Sequence, residues 1–529
     1  MSTATRGTAG PRAPDGRRAA EAPRGRRLLL WVVVVGGAAL LLAHALYFRH
    51  LFLGNSHDDA YISYRYADNL VHGRGLVFNA GERVEGYSNF LWVMLLVPFA
   101  RWHGDLALPS QVLGSICGVG ALILSVWALR RILGVMGAGA AAFVVLLLAG
   151  SGYVAAWSTA GLESPLYGLL LLAAWARYAL ERSDGRRWPL AAFLLGAVAL
   201  THPEGVFLAL AAALLHLLAA ARSRAPRAPR ATWLFPAIVI GIVAAYEVWR
   251  CIYYGPHLLP NSVRAKIGGG AVQFLHGALY TGRNFLLPYL PLLVGGAALG
   301  RSRRRAEFVS GYGLFFACLL FVAAAGGDWS LGRLFAPLLP LGAVLFAGAL
   351  GNSTWFSKVV RRRPARAAVY ASALTYLVVA FWLTSPHREM ASWRTDANHD
   401  AERIAIGKWL AANMPPSAVL AVHAAGQIPY YSGLYAHDML GLNDPHIAGL
   451  HMPSLGRGTP GHEKYDPAYT LEKVRPDIIV EGRLIPGLKR HPLYRNTYQP
   501  IASFWRYHEV VVRRDLAAKL LQQRDAPGR

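Results

Sequence analysis

The sequence predicts a polytopic α-helical membrane protein of about eleven spans, followed by a C-terminal extracytoplasmic α/β domain. Three observations lead there. Apolar runs of spanning length recur through the first 385 residues of a 529-residue chain that is 54% hydrophobic. The positive charge behind a net +25 falls in short clusters between those runs, which is the pattern of cytoplasmic loops and not of a nucleic-acid surface. From about residue 386 the apolar runs stop, and strand and turn signals begin. The three cysteines, Cys117, Cys251 and Cys318, lie in or beside apolar runs and imply neither a disulfide framework nor a metal site of the CxxC type.

In chain order, Met1 to Arg27 is rich in Arg, Ala, Gly and Pro and reads as a disordered, basic, cytoplasmic tail. Leu28 to Phe48 is long enough to span, so Ala43-His44-Ala45 within it reads as membrane helix and not as a signal-peptidase site. Five basic clusters should face the cytoplasm: Arg130-Arg131, Arg182 to Arg187, Arg222 to Arg230, Arg301 to Arg305, and Lys358 to Arg366. That orientation gives spans near 28–49, 109–129, 133–152, 163–181, 188–201, 203–221, 232–254, 283–299, 306–325, 332–350 and 367–385. The N-terminus is then inside and the C-terminus outside. Phe90 to Trp102 is shorter than the ~20 residues a span needs and reads as a helix lying along the outer interface. Beyond the last span, residues 386–529 read as one small α/β domain. It contains an amphipathic helix at 400–413 with Asp400 as N-cap, strands at Ala418 to Val422 and Asp477 to Val480, and a helix at 466–474.

This topology places every polar, non-basic motif on the outer side. The first outer loop, within 50–108, is the densest. Asp58 and Asp59 stand side by side where the first span leaves the membrane, although like charges repel and acids near a bilayer are costly. A proton to remove, a metal to hold or a cationic partner would each justify them. On a helix, Asp58, Tyr61, Ile62 and Arg65 share a face, from which Tyr61 and Arg65 can position a sugar hydroxyl or a phosphate. Glu85, Tyr87 and Asn89 follow, and solvated interfacial residues would look the same. Glu163 begins a span, where an acid is equally a partner for the helix dipole. His202 and Glu204 flank Pro203 between two short spans, as a site or as a helix-hairpin turn. Arg264 and Lys266 are outer-side cations, against the usual charge bias, and so are candidates for a lipid phosphate. Asp328 with Arg333 either pairs to hold a loop or lines the site. In the outer domain, His437-Asp438 and His462 collect polar groups in loops, as surface residues or as substrate contacts. HExxH, GxSxG and P-loop motifs are lacking, and the His, Asp and Glu spacing is not that of a dedicated zinc site.

The run Asp-Asp-Ala-Tyr-Ile-Ser-Tyr-Arg-Tyr-Ala (58–67), with Gly75-Leu76-Val77-Phe78-Asn79 and Val84-Glu85-Gly86-Tyr87-Ser88-Asn89-Phe90-Leu91-Trp92, resembles the C superfamily (GT-C) of membrane glycosyltransferases. Within it the likeness is to the mycobacterial terminal arabinofuranosyltransferase family. Pro-Asn-Ser-Val-Arg-Ala-Lys (260–266), Gly-Gly-Asp-Trp (326–329) and Gly-His-Glu-Lys-Tyr-Asp-Pro (461–467) are also similar to that group, so the likeness covers most of the chain. The resemblance implies a polyprenyl-phosphate sugar donor, with a pentofuranose as one candidate sugar, and a cell-envelope glycan or lipid acceptor. It implies catalysis by Asp58 and Asp59 at the outer face of the cytoplasmic membrane. Arg65, Arg264, Lys266 and His202 would contact donor phosphate. Tyr61, Glu85, Tyr87, Asn89, Glu163, Glu204, Asp328, His437, Asp438 and His462 would line the substrates. A divalent cation, Mg or Mn, held by Asp58 or Asp59 is an option left open. His202 departs from the Arg expected in Thr-Arg-Pro-Glu-Gly, which would make that phosphate contact pH-dependent or absent. Two other classes remain open: a lipid or glycan transporter or flippase, and a non-catalytic envelope or motility accessory on the same scaffold. Transporters usually carry their ionisable groups within broken, repeated spans, whereas these acids lie outside the spans and no internal repeat is visible.

Overall fold

In a computed structural model, residues 24–184, 189–221, 229–294, 304–328, 330, 332–384, 390–501 and 506–518 are described. The expected N-terminal tail lies almost wholly outside the described residues, as do parts of the clusters at 182–187, 222–230 and 301–305 and Trp329. The chain is a multi-pass membrane protein. Among the described residues six helices are long and apolar enough to cross a bilayer, or up to eight if two bent pairs each make one span. The six lie within Arg24–Leu51, Ala107–Arg131, Pro203–Ala221, Pro229–Tyr254, Arg305–Ala324 and Arg363–Thr384.

Of the other expected spans, 163–181 is an unbroken 21-residue helix, Ser164–Asp184, outside the six, and the rest are shorter or broken. Ala138–Gly150 and Gly152–Thr159 meet at 55°. Ser151 is extended there, and its hydroxyl caps the second helix through the Val154 amide. A side chain on Gly152 would put its Cβ 1.8 Å from the Thr384 carbonyl, so glycine lets the last apolar helix approach this break. Ala336–Asn352 and Thr354–Arg361 meet at 71°. Leu190–Thr201 has 12 residues, and Leu287–Val294 follows a π-helical turn at Gly282–Leu286. The expected interfacial segment is a 14-residue helix, Phe90–His103, too short to cross.

The C-terminal part is an α/β domain. A helix at Met390–Asn413, starting ten residues before the expected one, leads into a five-stranded sheet. Its strands are β1 (Val419–Val422), β2 (Tyr435–Asp438), β3 (Ile478–Val480), β4 (Tyr498–Pro500) and β5 (Val510–Arg513), in the order β2-β1-β3-β5-β4. β1 runs parallel to β2 and β3, while β5 is antiparallel to β3 and β4. The expected helix at 466–474 is a π-helical segment, Tyr469–Val474. Alternation sets the two faces. Ala421, Ile479 and Val511 point into the domain's own core. Leu420, Val422, Ile478 and Val480 join a larger core that also holds Leu41, Phe48 and Trp157 of the membrane helices. One apolar core thus runs from the spans into the sheet. On the sheet side of it, each large aliphatic side chain fully buried from water contributes about 1.5–3 kcal/mol, so the two parts are packed together as well as tethered.

Candidate active site

The acid pair begins a helix, Asp58–Val71. Carboxylates in a first turn are favoured by the helix dipole, which explains how two adjacent acids are tolerated. His57 precedes them, and its Nδ1 accepts the Asp59 backbone N–H at 3.3 Å. The His57 amide in turn donates to the Ala160 carbonyl at 3.0 Å, which ties the pair to the break after Thr159.

The two acids have different surroundings. Asp58 is buried, with 7% exposure, and both oxygens accept backbone N–H groups of the C-terminal domain. Gly426 donates to Oδ2 at 3.1 Å and Gln427 to Oδ1 at 2.8 Å. Burial pushes the Asp58 carboxyl up to about 6, against the lowering effect of the Arg403 guanidinium and the Gln427 amide. Asp59 is 24% exposed at its side chain and receives Arg333 Nη1 at 2.6 Å. Burial opposes ionisation there too, but Arg333, His57 and Lys266 outweigh it and hold Asp59 well below the usual carboxylate range. Arg333 Nε also lies 3.6 Å from Asp328 Oδ2, so one guanidinium bridges two acids.

A cavity of about 460 Å³ lies against the pair. The segment after the first span supplies His57, Asp58 and Asp59, and the short helix Asn261–Lys266 supplies Lys266. The C-terminal domain supplies Arg403, His423 and His462. Arg403 is braced by Glu481 at 2.9 Å and Asp400 at 3.2 Å. Glu481 directly follows β3 in a left-handed conformation at φ 59°, a costly backbone state for a side-chain-bearing residue. Burial of Glu481 is outweighed by Arg403 and His508, which keep it ionised. Burial pushes His423 down to about 4, so it is neutral at physiological pH. His423 follows β1 and Glu481 follows β3, at the carboxyl ends of adjacent parallel strands, where ligands commonly bind in open α/β sheets.

A second polar group adjoins Arg333. Glu163 is buried and accepts Asn89 Nδ2 at 2.6 Å, and Asn89 exchanges hydrogen bonds with Ser63. His202 sits between two acids, 3.7 Å from Glu163 and in contact with Glu204. Glu163 helps to hold the charge on Arg333. The structure therefore gathers Asp58, Asp59, Lys266 and His462 at the cavity, with Asp328, Glu163, His202, Glu204 and Asn89 in the adjoining network. His202 faces carboxylates there.

The remaining expected residues lie away from the cavity wall, each with a local task. The Arg65 guanidinium donates to the Phe78 carbonyl at 2.6 Å, the Leu434 carbonyl at 2.7 Å, the Asn79 side chain and the Pro429 carbonyl, which leaves it no fork for a phosphate. Arg264 reaches Asn261 at 3.4 Å. Glu85 pairs with Arg250 at 2.6 Å inside the protein. Tyr61 packs among Tyr64, Tyr430 and Tyr431, and Tyr87 between Tyr66 and Tyr254. His437 contacts Thr470 and Asp444, and Asp438 accepts the Leu440 and Asn443 amides. Sequence reasoning missed His57, Arg403, His423, Glu481 and the amides of Gly426 and Gln427. Among the described residues no group of three or more His, Cys, Asp or Glu side chains is placed to hold a metal ion. Asp58 is taken up by amides and Asp59 by Arg333, so this donor set does not fit a divalent cation.

A family model described as "Domain of unknown function (DUF8728)" matches residues 389–522. The chain is 30% identical over 282 residues to the terminal β-(1→2)-arabinofuranosyltransferase of Mycobacterium tuberculosis, covering 48% of this chain and 42% of that protein. It is 29% identical over 344 residues to the protein of the same name from Corynebacterium glutamicum, covering 54% and 46%. The chain thus spans less than half the length of the curated relatives it matches. Its fold is similar to that of ArnT from Cupriavidus metallidurans bound to undecaprenyl phosphate, with TM-score 0.56, 14% identity, and 93% of this chain and 98% of that one covered. It is also similar to the Archaeoglobus fulgidus oligosaccharyltransferase, with TM-score 0.53, 13% identity, and 85% and 69% covered.

Proposed function

We propose that this chain, which has the fold of the C-superfamily membrane glycosyltransferases, moves a sugar from a polyprenyl-phosphate donor to a hydroxyl of a cell-envelope glycan or lipid. The reaction would take place at the outer face of the cytoplasmic membrane. The observation that carries the reading is the cavity itself, with an acid pair on one wall and Lys266, Arg403 and three histidines on the others. The sequence likeness to two proteins named arabinofuranosyltransferases makes a pentofuranose the sugar to test first.

In the proposed step the acceptor oxygen forms its bond to the anomeric carbon as the bond from that carbon to the phosphate oxygen breaks. Asp58 takes the acceptor's proton. The polyprenyl phosphate leaves with both electrons of the broken bond. Asp58 suits the base because its carboxyl sits near 6, close enough to neutrality to be ionised yet able to hold a proton. Asp59, held ionised, orients Arg333 and stabilises positive charge at the anomeric carbon. Arg333 and Lys266 neutralise the departing phosphate. Grooves between the apolar helices take the prenyl chain. The outer-domain wall, through His423 and His462, meets the acceptor hydroxyls. No step is routed through a metal.

The test is transfer of radiolabelled sugar from a polyprenyl-phosphate donor by the full chain in proteoliposomes. Wild-type protein should yield labelled product and Asp58→Asn should lose about 10²–10⁴-fold in rate. Full activity in both Asp58→Asn and Asp59→Asn would remove the basis of the proposal. Donor movement across the bilayer without a new glycosidic bond would favour the transporter reading instead.

A further inference from the structure

The outer domain reaches the acid pair through one loop. Between β1 and the helix Gln427–Ser432, the backbone N–H groups of Gly426 and Gln427 point at the two oxygens of Asp58, at 3.1 and 2.8 Å. The Gln427 side chain donates to the Ser56 carbonyl at 3.2 Å, beside the same acid. Gly426 lies so close that a Cβ on it would stand 1.8 Å from the Asp58 carbonyl oxygen and 2.8 Å from its carboxyl carbon. No residue but glycine fits that approach without moving one chain or the other. The joint is buried, with Gln427 fully enclosed and Asp58 nearly so.

We propose that Gly426 and Gln427 are positioning residues for the transfer reaction, their paired backbone amides holding the Asp58 carboxylate in its reactive orientation and in its ionised form. The inference rests on the reading of Asp58 as the base. Its consequence is that the base is completed by a domain remote in sequence, and only while that domain is docked. A carboxylate that accepts two backbone amides is favoured in its charged form, which opposes the burial of Asp58. The charged and titratable groups facing Asp58 are His57 and Asp59 on its own segment, Lys266 across the cavity, and His399, Asp400, Arg403, His423, His462 and Glu481 from the C-terminal domain. Of these, Arg403 assists ionisation whereas Asp59 and Glu481 oppose it. The two amides are the groups that touch Asp58 and also fix the direction of its oxygens.

The experiment compares full-length wild type, Gly426→Ala and Gln427→Pro in proteoliposomes, with a radiolabelled polyprenyl-phosphate sugar as probe. Gly426→Ala forces the loop off Asp58. Gln427→Pro replaces one donor by a ring carbon that faces Asp58, at a first helical position whose backbone angles proline can adopt. The expected result is a fall in kcat of about tenfold or more, a donor KM within about twofold of wild type, and an acid limb of the pH profile displaced to higher pH. The upward displacement follows because a lost amide no longer favours the charged carboxylate. Residual activity with the wild-type pH profile in a folded variant would overturn the inference. So would failure of both variants to fold, which would reduce the loop to a packing element. Absence of transfer by wild type would instead refute the glycosyltransferase reading, so the two failures are distinguishable.

Discussion

At the scale of single residues, adjacent and chemically identical acids end up with different properties because their partners differ. Asp58 sees backbone amides and is raised by burial, while Asp59 sees a guanidinium and is lowered. The base must be ionised, so kcat/KM should rise about tenfold per pH unit below about pH 6 and level off above it. Because the acids interact, the measured limb belongs to the pair. A flat profile from pH 4 to 8 would contradict the assignment of Asp58. Arg333→Gln should raise the donor KM and lower kcat together, since it removes both a phosphate partner and the group that orients Asp59. Steady-state kinetics against donor concentration check this, and an unchanged KM would exclude Arg333 from the phosphate contact. Asp58 and Asp59 stood out in the sequence because acids beside a bilayer are costly. The difference in their surroundings was not legible, since it depends on Gly426, Gln427 and Arg333, which are distant along the chain.

At the scale of elements, the helix Asp58–Val71 works as a joint between the membrane part and the C-terminal domain. Its first residue takes the Gly426 and Gln427 amides, and Arg65, two turns on, takes the Pro429 and Leu434 carbonyls. The sequence placed Arg65 on one face with Asp58, which is correct for a helix but silent on what that face meets. Arg65→Met should therefore lower the thermal unfolding temperature in detergent by leaving several buried carbonyls without donors, at about 1–3 kcal/mol each. It should leave the donor KM of the folded fraction close to wild type. A raised KM with unchanged stability would return Arg65 to the phosphate. The Glu85–Arg250 pair is a second clamp of this kind, and Glu85→Ala should cost about 3–5 kcal/mol by leaving Arg250 buried without its main partner. Calorimetry or a denaturant series measures that loss. Strands β1 and β3 were readable from their apolar runs. β2 and β4 were not, because Tyr435–Asp438 and Tyr498–Pro500 are short and partly polar and their pairing is decided by distant partners, whereas β5, Val510–Arg513, is an apolar run that was not among the expected strands.

At the scale of the whole molecule, a single apolar core links the spans to the sheet, and the cavity lies where the two meet. That location is why no single stretch of sequence spells out the site: its walls come from the first outer loop, the helix before residue 267, the helix Met390–Asn413 and two strand ends. The polytopic class and the C-terminal α/β domain were legible from hydropathy and charge. Individual spans were less so, because breaks at Ser151 and Ser353 are set by packing and capping and not by composition. The proposed orientation puts Lys489 outside and Lys358 inside. In intact cells a membrane-impermeant maleimide should label Lys489→Cys and not Lys358→Cys, and the reverse pattern would invert the topology. The central claim is that the cavity between the acid pair and the outer domain is where the donor reacts. A structure of the full chain with a non-hydrolysable phosphonate analogue of a polyprenyl-phosphate sugar tests it most directly. The phosphonate should lie within hydrogen-bond reach of Lys266 and Arg333 with the anomeric carbon facing Asp58 and Asp59; an analogue seated elsewhere, with this cavity empty, would contradict it.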